Sequence, residues 1–354
     1  MGQLVRVMMP LFLIIVYVTF TYFYDSKIEP TPPYPIWMKS SGELYSQQTS
    51  GIFFLGKEGN KKMFLTCNDN GRIDRVSIDE SEVPPKFEIT VLNFQVSTTA
   101  KFFNTYSKMD FEDIVYDKTL NLILVSVEGN TGTSDDNPPR NITYKESEGV
   151  LAFTFNNTIM NCDTITSVSK FQLPDTIYKF TNENIGFEGM AVTDNYYYMG
   201  LENKSDSNAK FSDSTCIYII DKKTKAVKMI SSKLFSEISI SGLCATDDYT
   251  LYGVNRDSKR IFYVKFNPDF TVKQFKERPF ALTMPMNEDV SMDRMMGIEG
   301  IAVDNEGLIY TLSDPWSELY TPDAVSKNAI TEKERKNLIK LIPVLYKYEN
   351  PFIK

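Results

Sequence analysis

The chain has 354 residues, 42% of them hydrophobic and 24% charged, which is ordinary globular composition and enough chain to bury a core without a disulfide or metal to hold it. Lys and Arg total 38 against 46 Asp and Glu, a net charge of −8, so a phosphate backbone is repelled and nucleic acid is not an expected partner. There is no histidine, which excludes Ser-His-Asp and Cys-His nucleophiles, a histidine general base, and histidine-bound zinc, iron or haem.

In chain order, Met8–Tyr24 is a run of 17 uncharged, mostly apolar residues between Arg6 and Asp25. It is long enough for a short membrane span, and its exit is bulky and aromatic where a signal peptidase site needs small residues. We read residues 1–27 as an uncleaved signal anchor, with a cleaved signal peptide as the alternative. Residues 28–44 contain IEPTPPYPI and are expected to form a stiff linker, and residues 45–350 a folded body on the extracellular side or secreted. The sequons at Asn141, Asn156 and Asn203 are compatible with a glycoprotein. Cys67, Cys162, Cys216 and Cys244 form no C-x-x-C pair, and spacing alone does not choose between buried thiols and any of three disulfide pairings.

The body carries a repeat. Ser or Glu, then Gly (once Asp), opens an alternating apolar strand, a turn, and a second strand ending in polar residues. It begins at Ser50, Glu112, Glu188, Ser241 and Glu299, and each second strand ends near Asp69, Glu128, Glu202, Asn255 and Asp314. The strands are rich in Val, Ile, Tyr and Phe, and the one convincing helical stretch is Asn328–Leu341. Units of this length suit four-stranded antiparallel sheets around an axis, so we expect an all-β, five-bladed β-propeller, with six blades as the alternative, acting as a monomer. The run Pro343–Tyr348 is expected to close the ring by pairing with the N-terminal unit.

In a propeller the first strand of each blade lines the axis and the second returns to the same face. Ser50, Glu112, Glu188, Ser241 and Glu299 then form an inner polar ring, with Asp69, Glu128, Glu202, Asn255 and Asp314 outside it. Carboxylates so close need a counter-charge. An oxygen-only donor set points to Ca²⁺ bound by Glu112, Glu188, Glu299, Ser50 and Ser241, with Asp69 and Asp314 as secondary ligands. The competing reading is that the glutamates bond backbone amides at strand ends.

The segments GFEGMAVTDNYYYMGLENK at Gly186–Lys204, IEGIAVDNEGLIYTLSD at Ile298–Asp314, and SGIFF…NDNG between Ser50 and Gly71 carry a resemblance. Together they resemble the phytase-like domain described as esterase-like, and the related SdiA-regulated calcium-binding propellers. That resemblance spans Glu43 to Tyr348 and implies a propeller, export in many members and a calcium site. FEDI at Phe111–Ile114 and GIEGIAVD at Gly297–Asp304 also resemble metal-ligand strands of paraoxonase and gluconolactonase propellers. Three functions follow as expectations: a tethered extracellular calcium-binding module holding a ligand or protein; a Ca²⁺-dependent phosphoesterase, with Glu128 or Glu202 as base and Arg256 or Lys204 steadying the phosphate; and a lactonase or arylesterase working through carboxylates alone. Asp113 departs from the pattern by standing where the other repeats have glycine.

Overall fold

The computed structural model describes residues 27–40, 42–103, 109–129, 147–182, 185–204, 214–234, 239–285, 287–291, 296–315 and 331–353. The apolar run Met8–Tyr24 and the sequon at Asn141 lie outside these residues. No helix among the described residues is long and apolar enough to cross a membrane.

Five antiparallel sheets surround one axis. Blade one is β2 (Thr49–Glu58), β3 (Lys61–Asn68), β4 (Ile73–Asp79) and β5 (Lys86–Val91). Blade two is β7 (Phe111–Asp117), β8 (Leu122–Val127), β9 (Gly149–Phe155) and β10 (Thr164–Phe171), extended by the short parallel β6 (Asn93–Phe94), which precedes helix α1 (Val96–Phe103). Blade three is β11 (Phe187–Val192), β12 (Tyr196–Leu201), β13 (Cys216–Asp221) and β14 (Val227–Ser231). Blade four is β15 (Gly242–Asp247), β16 (Thr250–Asn255), β17 (Arg260–Phe266) and β18 (Val272–Pro279). A two-stranded ribbon, β19 (Thr283–Met284) with β20 (Asn287–Ser291), leads to blade five. Blade five is β21 (Met296–Val303), β22 (Ile309–Pro315) and β23 (Val344–Tyr348), and its fourth strand is β1 (Ile36–Trp37) from the other end of the chain. Five blades, not six, therefore close the ring.

Closure works by pairing the two chain ends. Ile36 faces Leu345 and Trp37 faces Val344 across β1 and β23. The proline-rich segment read as a linker is thus built into the body: Tyr34, Ile36 and Met38 are buried, and Ile28 bridges to Phe280. Prolines suit that place, because an outermost strand needs few backbone donors.

Hydrophobic residues gather in five clusters, one between each pair of neighbouring blades. Ile52, Phe64 and Val76 meet Ala302, Tyr310 and Leu345 at the seam between blades five and one. Tyr252, Ile261 and Tyr263 meet Ile298, Ile301 and Tyr346 between blades four and five. Because every blade covers its neighbours, the middle strands, such as β13, read as nearly continuous apolar runs. The outermost strands, such as β14, are largely half-buried or exposed. All four cysteines are unbridged, Cys67, Cys162 and Cys216 being buried among these clusters. Helix α2 (Glu332–Ile339) starts on a capping box in which Thr331 and Glu334 satisfy each other's backbone N–H groups.

Candidate metal centre

The inner strands touch in the cyclic order β2, β7, β11, β15, β21 and back to β2. Their first residues converge on one mouth of the axis. In four of the five blades the pairing between strands one and two slips where the repeat begins. The register skips Ser50, both Glu112 and Asp113, Glu188, and Glu299. These residues sit on β-bulges. A bulge leaves one residue out of the ladder and turns its side chain, here toward the axis. Ser241 instead lies just ahead of β15 and has no bulge.

Below that ring the axis is closed. A Cβ on Gly51 would lie 2.7 Å from the Asp113 Cα, and one on Gly300 would lie 2.7 Å from the Ser50 carbonyl oxygen. Glycine is required at both, because backbone meets backbone. Asp113, the exception to the glycine pattern, fills the remaining gap. Its Oδ1 accepts from the Ile114 N–H at 2.8 Å and its Oδ2 from the Met190 N–H at 2.6 Å, and the Leu243 N–H of blade four also donates to it. One side chain thus ties blades two, three and four together. The opposite mouth, beyond this floor, holds a separate cavity of about 450 Å³ lined by Phe53, Tyr116, Val192 and Ala245.

Above the floor is an acidic cup. Its carboxylate oxygens form two close groups, Asp69 with Asp110 and Glu112, and Glu128 with Glu188 and Glu202; in each group the oxygens lie within 4.8 Å of one another. Glu299 and Asp314 are also buried here, at 7% and 6% exposed. Arg256, the residue after β16, reaches into the second group. Its Nη1 donates to Glu299 Oε2 at 2.7 Å, and its Nη2 donates to Glu202 Oε1 at 2.7 Å and to Glu188 Oε1 at 3.3 Å.

The electrostatics follow from burial and crowding. Burial raises Glu112, and Glu128, Asp69, Asp110 and Glu188 raise it further. Burial also raises Glu188 and Glu202, partly offset by Arg256. Glu128 is pushed up to about 8 by burial and by Glu202 and Asp110, although the Gly186 N–H donates to its Oε1 at 2.6 Å. Asp314 rises through burial, Asp69 and Glu299. Burial acts to lower Arg256, but Glu188, Glu299 and Glu202 outweigh it and hold the guanidinium charged.

The residues fit a hard divalent cation. Glu188 Oε2, Glu299 Oε1 and Asp314 Oδ1 are buried oxygens with no hydrogen-bond donor among the described residues. An ionised buried oxygen without a donor is costly, and a cation relieves it. Gly297 belongs to the same arrangement, since a Cβ there would lie 2.1 Å from Glu299 Oε1.

The structure brings Glu112, Glu188 and Glu299 to one mouth, but in different settings: Glu112 in the first carboxylate group, Glu188 in the second, Glu299 on Arg256. The two serines have other partners. Ser50 Oγ donates to Asp69 Oδ1, and Ser241 Oγ donates to the Ile298 carbonyl at 2.8 Å. Asn255 Oδ1 accepts from the Ser258 N–H, and the Lys204 ammonium lies over the Phe180 ring at 5.5 Å. Amide bonding, the competing reading, describes Glu128 and Asp113. Sequence reasoning missed Asp110, which is 3% exposed; its signal was an acid two residues ahead of Glu112.

Comparison with family models decides the affiliation. Residues 47–315 match the phytase-like model described as esterase-like activity of phytase. The chain belongs to the phytase-like family. No curated protein matches this phytase-like chain. Among solved structures it is similar to a luciferin-regenerating enzyme, at 11% identity and TM-score 0.40, covering 80% of this chain and 74% of that one. It is also similar to the PQQ-bound aldose sugar dehydrogenase of Streptomyces coelicolor, at 8% identity and TM-score 0.41, covering 90% and 99%.

Proposed function

We propose that this phytase-like propeller is a calcium-binding module, exported and tethered by Met8–Tyr24, whose cation-loaded mouth holds an extracellular ligand. The supporting observation is the set of buried carboxylate oxygens on Glu188, Glu299 and Asp314 that lack a donor among the described residues. Ca²⁺ takes six to eight oxygens in flexible geometry, which suits a cup whose candidate ligand atoms are carboxylate oxygens. Asp69, Asp110 and Glu112 already stand within reach of one ion, and the unpartnered oxygens are the further candidates. The hydroxyl of Ser50 orients Asp69, and that of Ser241 joins blades four and five.

The test is melting of the full chain in Ca²⁺ and in EDTA, beside Glu188→Gln and Glu299→Gln. Mass action stabilises the wild type by about 2.7 kcal/mol at a hundredfold excess over Kd. The variants lose most of that gain while melting in EDTA no earlier than wild type. Identical wild-type melting with and without Ca²⁺ refutes the reading.

A second reading, a phosphoesterase, is favoured by Glu128. A carboxyl with a pKa of about 8 near a charged guanidinium has the proton affinity a general acid or base needs. The bound metal would polarise a phosphoryl oxygen. Glu202 suits the base role less well, because it is bonded to Arg256. Phosphate release from phytate or a phosphomonoester, lost in Glu128→Gln, separates this reading from a binding module. Lactone turnover without phosphate release selects the esterase instead.

A further inference from the structure

We propose that Arg256 is a built-in competitor for a second cation, so that the Glu128–Glu188–Glu202 group takes up a divalent ion only when the guanidinium leaves. The proposal rests on the reading of the cup as a cation site, and goes beyond it by assigning a second, gated position.

Glu128, Glu188 and Glu202 present oxygens within 4.8 Å of one another. That is the widest separation two ligands reach across an ion about 2.4 Å from each. The group is therefore already drawn together to the dimensions of a cation site. What occupies its edge is the Arg256 fork. Nη2 holds one oxygen of Glu202 and one of Glu188, while Nη1 holds Glu299. The second oxygens of Glu188 and Glu299 are buried and without a donor among the described residues. A guanidinium carries one positive charge at every accessible pH and donates along fixed directions. It meets one oxygen of Glu188 and one of Glu299, and no donor among the described residues reaches the other. A compact divalent ion accepts oxygens from any direction and brings twice the charge.

Two features say that the arginine can depart. Its side chain is 20% exposed, against 9% and 12% for the Glu188 and Glu202 side chains it holds. It also leaves from the end of a β-strand, just after Asn255, where its displacement breaks no ladder bond. The floor beneath is fixed by Asp113 and the glycines. Exchange of one cation for another is therefore a side-chain motion and not a rearrangement of blades.

The experiment counts Ca²⁺ bound to the full chain by equilibrium dialysis and calorimetry in wild type, Arg256→Gln and the double variant Arg256→Gln/Glu202→Gln. Terbium luminescence serves as an independent probe. Arg256→Gln is expected to bind one more ion than wild type, or the same second ion at least tenfold more tightly, and the double variant to lose that gain. Equal stoichiometry and affinity in wild type and Arg256→Gln overturn the proposal while leaving the cup a cation site. Absence of bound ion in both proteins overturns the two together.

If Arg256→Gln does not fold, wild type alone decides. The side-chain ¹⁵N resonances of Arg256, protected from exchange by its carboxylate partners, are expected to lose protection only at Ca²⁺ beyond the first equivalent. Resonances that stay protected at saturating Ca²⁺ overturn the proposal.

Discussion

Two buried polar regions of the propeller both gather carboxylates but differ in how those carboxylates are partnered. At the seam between blades five and one, Lys62 donates to Asp304 Oδ2 at 2.6 Å and to the Tyr310 hydroxyl at 2.7 Å, and pairs with Glu80 at 3.2 Å. Glu80 also accepts from Tyr34 at 2.7 Å and from Lys347 at 3.0 Å. Each carboxylate there meets an ammonium or a phenol, and the seam between blades two and three repeats the scheme with Asp117, Lys222 and Tyr197. In the acidic cup, eight carboxylates converge, and Arg256 is the cation bonded to them among the described residues. The seams show that this chain can neutralise buried acids when only the fold is at stake. Among the described residues the axis mouth lacks the one-to-one pairing of the seams, and that difference is what a bound cation would answer.

The sharpest way to break the comparison is Lys62→Met. It strands Asp304, whose side chain is fully buried, and breaking a buried pair costs about 3–5 kcal/mol. The loss should be the same in Ca²⁺ and in EDTA when read by urea denaturation. A loss that depends on Ca²⁺ would mean the seam and the cup are coupled.

The pH dependence should divide along the same line. Burial opposes the ionisation of Glu80, but Tyr34, Lys347 and Lys62 prevail and lower it from 4.5 to about 2. A depressed carboxylate contributes stability above its ordinary pKa, and that contribution fades as pH falls from 4.5 toward 2. Glu128 is raised from 4.5 to about 8, so its contribution has the opposite sign: it is complete below 4.5 and is lost as pH rises through 8. In EDTA the chain should therefore weaken toward both ends of this range. Ca²⁺ should remove the alkaline decline and leave the acid one. Urea midpoints from pH 3 to 9 check this; an alkaline decline unchanged by Ca²⁺ contradicts it.

The smallest change tests the cup without touching the seam. Gly297→Ala pushes on Glu299 Oε1, the movable end of a side chain, and not on backbone. We expect Ca²⁺ affinity to fall about tenfold, equivalent to about 1.4 kcal/mol, with melting in EDTA little changed. Melting reduced equally in both buffers would assign Gly297 to the fold alone.

Much of this architecture is written in the repeat. The starts at Ser50, Glu112, Glu188, Ser241 and Glu299 mark the five inner strands because each must pass close to the axis, and that constraint selects a recognisable residue pair. The outer strands are less legible, since β14 and β18 face solvent on one side and tolerate almost any alternation. Strand β1 was hidden for another reason: its two residues pair with Leu345 and Val344, more than 300 positions away, and no local pattern records such a partner. Within the site, the carboxylates are visible as residue types but their division into two groups is not. It arises from bulges that skip Glu112, Glu188 and Glu299, and from Arg256 crossing from blade four to its neighbours. The meaning of Asp113 is likewise spatial, because its acceptors are completed by amides of other blades.

The floor made by Asp113 and the glycines has a kinetic consequence. A cup closed at its base imposes order on traffic: what arrives first sits deepest and departs last. A ligand resting on the rim would imprison the ion beneath it, so removal of the ion by a chelator should slow in proportion to ligand occupancy, although the ligand never touches the innermost oxygens.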